Sequence, residues 1–166
     1  MLPQDAATTG KAGRPGMTTE VLFYHLERQP LETVLPVLIE KTVERGWRAV
    51  IEVGNPERVQ ALNALLWTYK PESFLPHGTK MDGPPQEQPV YLTSEADNPN
   101  GATVRFLVDG AAPTTFSGYI RIVLMFDGRD PDALAAARTH WKTAKAADCK
   151  LTYWQQNADG RWEQKA

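Results

Sequence analysis

Residues 20–26 read EVLFYHL, apolar or aromatic at nearly every position rather than at every second one. Such a strand has to be covered on both faces, a condition met in parallel sheets that carry helices on their surfaces. The segments that follow supply cover and partner in the required order. Between 31 and 45, Leu31, Val34, Leu35, Leu38, Ile39 and Thr42 recur at three- and four-residue spacing, and Gly46 follows where a helix stops. Residues 47–53, WRAVIEV, predict a second strand, after which Gly54-Asn55-Pro56 leads into a helix carrying Val59, Leu62, Leu65 and Leu66. Strand, helix, strand, helix implies a parallel sheet with right-handed crossovers. Pro36 is the one violation in the first helix and predicts a kink or a late helix start there.

Further along, residues 78–88 read as a polar loop in which Gly83-Pro84-Pro85 blocks regular structure. Strands are predicted at 90–93, 103–108 and 119–126, with a turn at 97–101; YIRIVLMF at 119–126 is the most strand-like run and belongs at the centre of the sheet. Asp130-Pro131-Asp132 can cap a helix reaching to about Asp148. Residues 150–155 return to extended structure, 157–160 turn, and 161–163 pair back as a short hairpin. The expected fold class is α/β, a single Rossmann-like domain with a mainly parallel sheet flanked by helices. A length of 166 residues with 42% apolar content is enough for one sizeable core. Residues 1–16, rich in Gly, Pro, Thr and Ala and lacking an apolar signal-peptide core, are expected to form a disordered extension, with the domain spanning 17–166.

Charge and motifs exclude more than they propose. Eighteen basic against 20 acidic residues give a formal charge of -2, so no bulk field marks a nucleic-acid or membrane-surface binder. The lone Cys149 cannot form an internal disulfide and no apolar run approaches the roughly 20 residues that span a bilayer, which together fit the cytoplasm. The first strand-to-helix turn, His25-Leu26-Glu27-Arg28-Gln29-Pro30, has no glycine to let amides approach a pyrophosphate, and Glu27 would repel one. Neither glycine-rich phosphate fingerprint occurs anywhere. His25, His77 and His140 share no ligand spacing. Cys149 has Lys145 and Lys150 nearby, which would lower a thiol pKa, but no candidate base beside it in sequence. No metal, nucleotide or other cofactor is expected.

Two surfaces remain. LLWTYKPESFLPH, residues 65–77, sets Trp67, Phe74, Leu75 and Pro76 in a proline-marked segment that cannot continue as helix or central strand, so its apolar groups fold back or meet a partner. On the last helix, Arg138, Trp141, Lys142 and Lys145 fall at i, i+3, i+4 and i+7 on one face, while Ala133, Ala137, Ala144 and Ala147 form a side that can approach a sheet closely. A cationic rim beside an apolar pocket suits a ligand with a carboxylate and an apolar end. The same pattern also fits a solvated face opposing the helix dipole, or weak, salt-sensitive contact with single-stranded DNA.

Taken together, VLFYHL, WRAVIEVG, the W-x(6)-F-x-P-H pattern from Trp67 to His77 and the helix RTHWKTAKAADCKLTYW resemble the chi subunit family of bacterial DNA polymerase III holoenzyme, from Met17 to about Trp162. The resemblance implies a non-catalytic adaptor in the DNA-directed DNA polymerase assembly. It would join the psi subunit of the clamp loader to the acidic C-terminal tail of single-stranded DNA-binding protein, reaching DNA only indirectly. The family's psi-side aromatic positions match Trp67 and Phe74, with Leu75 and Pro76 completing the patch, which a helicase is the alternative partner to occupy. Its tail-binding positions match Arg138, Trp141 and Lys142. A further family lysine corresponds to Leu134, and Lys145 is placed to replace part of its charge. A cryptic small-molecule enzyme gathering His77, Asp82 or Cys149 is the competing reading.

Overall fold

The computed structural model of the protein describes residues 18–69 and 76–166. One sheet holds seven strands: β1 (Glu20–Leu26), β2 (Ala49–Val53), β3 (Val90–Thr93), β4 (Val104–Val108), β5 (Arg121–Asp127), β6 (Lys150–Gln156) and β7 (Trp162–Gln164). Their order is β3-β2-β4-β5-β1-β6-β7, and every neighbouring pair is parallel except β6 with β7. The YIRIVLMF run therefore supplies the central strand. Among the described residues, the helices are α1 (Leu31–Glu44), α2 (Pro56–Thr68) and α3 (Pro131–Ala146).

Alternation along the strands divides the core in two. Leu22, Ile51, Phe106 and Met125 project to the face covered by α1 and α2, through Leu35, Ile39, Leu62 and Leu66. Phe23, Leu107, Leu124 and Phe126 project to the opposite face, where Ala137 and Ala144 bring α3 close and Tyr119 packs beside it. The buried Arg105 on this second face is fully engaged. Arg105 Nη2 donates to Glu52 Oε1 at 2.8 Å and to the Glu95 carbonyl at 2.9 Å, while Nη1 donates to the Asp97 carbonyl and the Tyr119 hydroxyl. A buried guanidinium with that many acceptors fixes the β3–β4 loop against the sheet, a matter of geometry more than of net stability.

The helices start as their sequences direct. The Asn55 side chain accepts from Glu57 N and the Asp130 side chain from Asp132 N, each followed by a proline at the first helical position. Of the two outcomes expected at Pro36, the late start is excluded: helix α1 begins at Leu31, because the Pro30 carbonyl already accepts from Thr33 and Val34, and Pro36 lies inside the helix, buried. Three further expectations need correction. Strand β2 begins at Ala49, not Trp47, whose ring is held between the guanidiniums of Arg45 and Arg121 at 5.2 and 5.4 Å. The 78–88 segment is not wholly irregular: Gly78 bridges Tyr91 along the outer edge of β3, and Pro85–Glu87 makes a 3-10 turn. Ala147 is the exposed C-cap of α3 and not part of its packing stripe.

Candidate protein-binding site

Helix α3 lies over β5 and β6 with its alanine stripe inward, so that the side chains flanking the stripe frame a pocket between helix and sheet. That pocket, of about 430 Å³, is lined by Leu134, Ala137, Arg138, Trp141, Lys142, Tyr153 and Ala166. Trp141 is half-buried, packed on Phe23 at 5.2 Å between ring centroids and set edgewise to Tyr153 at 6.1 Å. The aromatic pair gives the pocket rigid apolar walls. Arg138 and Lys142 are exposed at its mouth. Three of the residues singled out from sequence thus share one concavity, and Lys145 lies a turn further along α3, exposed and outside the lining.

Two members of the pocket escaped the helical-periodicity argument. Tyr153 stands on β6, and its hydroxyl is 2.7 Å from His25 Nδ1 on β1. Burial pushes its phenol up, opposed by the Arg138 guanidinium and reinforced by the Glu27 carboxylate. The strand alternation that sets Leu151 and Tyr153 toward α3 is a signal that was present in the sequence. Ala166 has no such signal. It arrives through the hairpin, where Lys165 N donates to the Tyr153 carbonyl at 2.6 Å and Tyr153 N to the Ala166 carbonyl at 3.3 Å.

At the end of α2, Trp67 is half exposed and its ring lies 4.2 Å from that of His77, which is buried and donates from Nε2 to the Asn63 carbonyl at 3.0 Å. Pro76 is partly buried beside it. Phe74 and Leu75, the other two members of the expected patch, lie outside the described residues, as does the 1–16 extension.

The competing enzymatic sites are differently placed. The crevice beyond the carboxyl ends of β1, β4 and β5 measures about 970 Å³, but Glu27, Glu32, Asp109, Asp127, Asp130 and Asp132 line it alongside Arg28, Arg58 and Arg129. Such a lining disfavours a polyphosphate. Burial, followed by Asp148, pushes the Cys149 thiol up, so the expected lowering by Lys145 and Lys150 is overturned. Asp82 accepts from Thr79 N and Oγ1 at 2.8 and 3.1 Å as a turn-forming residue, in a different part of the fold from Cys149. No group of three or more His, Cys, Asp or Glu that could hold a metal occurs among the described residues, and no described helix is long and apolar enough to cross a membrane.

Over 100 residues the chain is 33% identical to the probable DNA polymerase III subunit chi of Rickettsia prowazekii, an alignment covering 60% of this chain and 59% of that relative's length. With the family described as DNA polymerase III chi subunit, HolC, it matches across residues 17–152, from before β1 into β6, and so the chain belongs to the DNA polymerase III chi subunit family.

Proposed function

We propose that the protein is a non-catalytic accessory subunit of the DNA polymerase III holoenzyme that bridges the psi subunit of the clamp loader and the acidic C-terminal tail of single-stranded DNA-binding protein. One observation carries the tail-binding half: the pocket of about 430 Å³ combines an apolar wall, Trp141 with Leu134, and cations at its mouth, Arg138 and Lys142. An acidic tail is drawn in by these charges. Its terminal carboxylate is held by the Arg138 guanidinium, and its last apolar side chain enters between Trp141 and Tyr153. Lys145, one turn beyond, acts on the tail's upstream acidic residues. Leu134, where the family pattern has a lysine, enlarges the apolar wall at the expense of charge. The psi-facing half rests on Trp67 and Pro76 together with Phe74 and Leu75.

Titration of the protein with a fluorescent acidic peptide ending in an apolar residue tests the tail site. Arg138→Ala combined with Lys142→Ala is expected to weaken binding by about tenfold or more, since hydrogen bonds to charged groups contribute about 1.5–3 kcal/mol each. Affinity falls with added salt as the roughly 10 Å screening length at 0.1 M contracts. Unchanged affinity in the double variant removes the site. Tighter binding to bare single-stranded DNA than to the peptide at physiological salt replaces this reading with direct nucleic-acid binding.

A further inference from the structure

One residue lining the pocket, Tyr153, carries a hydroxyl that the cationic rim does not explain. Tyr153 Oη and His25 Nδ1 are 2.7 Å apart, and the imidazole is buried on the α3 side of the sheet, with Phe126 at 5.4 Å. Its space is reserved. A Cβ built on Gly128 would fall 1.9 Å from His25 Nε2, so the β5–α3 turn takes glycine where the ring lies against the backbone. Nε2 is shielded from solvent and has no hydrogen-bond partner, and Glu27 Oε1 stands off at 3.9 Å.

These contacts select a tautomer. A bare Nε2 lone pair facing the Glu27 carboxylate is repulsive, whereas an Nε2–H is attracted to it. In neutral His25 the proton therefore sits on Nε2, Nδ1 accepts, and the Tyr153 hydroxyl is committed as donor to the histidine. Protonation of His25 reverses that bond. Nδ1–H then donates to the Tyr153 oxygen, Nε2–H keeps its attraction to Glu27, and the phenolic O–H is released to donate elsewhere. The Arg138 guanidinium is close enough to act on that phenol, and both residues line the pocket.

We propose that the Tyr153 hydroxyl is a ligand-binding group of the pocket and that His25 is its positioning residue, so that binding of a carboxylate-ended acidic peptide takes up a proton at His25. This rests on the tail-binding reading given above. The donor released by protonation and the added positive charge both favour an anionic ligand, so affinity rises as pH falls. The charged groups that face the pair are Glu27 at the end of β1, Asp127 at the end of β5, whose carboxyl is lowered chiefly by the hydrogen bond from the Arg129 backbone N–H and least by His25, and Arg138 on α3.

The test is calorimetric titration of the acidic peptide at several pH values between 8 and 6, where histidine is the side chain that ordinarily changes charge. Buffers of different ionisation enthalpy count the protons taken up. Wild type is expected to bind more tightly at pH 6 than at pH 8, by at most about tenfold per pH unit, the limit for one linked proton, with net proton uptake. His25→Gln keeps a hydrogen-bonding partner for Tyr153 and is expected to bind with a flat profile and no uptake. Tyr153→Phe keeps the ring and loses the pH dependence together with part of the affinity. Circular dichroism and thermal unfolding verify that both variants are folded. Wild type and His25→Gln sharing one pH profile overturns the inference and leaves the tail site standing. Failure of wild type to bind the peptide at any pH overturns the tail site and the inference with it.

Discussion

At the scale of single residues, backbone approach constrains the chain as much as side-chain chemistry does. Gly54 ends β2, and a Cβ placed on it would lie 2.2 Å from the Asp109 carbonyl oxygen and 2.6 Å from Ala111 N. Those neighbours are main-chain atoms of the β4 turn and cannot swing aside. Gly54→Ala is expected to lower stability by about 1–3 kcal/mol, as overpacking does, measured as a shift in denaturant midpoint at constant slope. The Gly54-Asn55-Pro56 sequence marked a turn before a helix, but one glycine without a phosphate motif left its purpose open. The purpose is steric: two strand ends of one parallel sheet meet there.

At the scale of elements, Arg58 ties three of them together. From α2 its Nη2 donates to Glu32 Oε2 in the first turn of α1 at 2.7 Å, and its Nε donates to Asp109 Oδ2 beyond β4 at 2.9 Å. The hydrogen bond from Arg58, helped by the backbone at the α1 N-terminus, holds the Glu32 carboxyl below the usual range. A carboxyl depressed in the folded state stabilises above its unfolded pKa of roughly 4.3, and that contribution is lost as pH falls through the folded value. Thermal midpoints measured between pH 5 and pH 3 are therefore expected to fall less steeply in Arg58→Gln than in wild type. Both partners are partly solvated, so added salt narrows the difference. A steeper acid decline in the variant contradicts this assignment.

At the scale of the whole molecule, the two surfaces are set apart by the sheet. Helix α2, with Trp67 in its last turn, covers one face toward the β3 edge, while α3 covers the other face over β5 and β6. Five inter-strand steps separate β3 from β6, roughly 24 Å at the usual strand spacing. Distance and opposite faces make the surfaces independent. Trp67→Ala is expected to abolish capture of the psi subunit in a pull-down while acidic-peptide affinity stays within about twofold, since sites this far apart couple weakly. Loss of both activities in a folded variant contradicts a bridge with two separate ends.

The sequence by itself determined the element order, the central position of 119–126, the capping of α3, and the grouping of Arg138, Trp141 and Lys142. Each of these follows from periodicity or local backbone chemistry, which act over a few residues. The tertiary structure alone decided what faces that helix. His25 meets Tyr153 across 128 positions of sequence, and Ala166 reaches the pocket through a hairpin, because strand pairing brings β1, β6 and β7 side by side. The same long-range pairing placed Lys145 outside the pocket, although helical spacing had grouped it with Arg138.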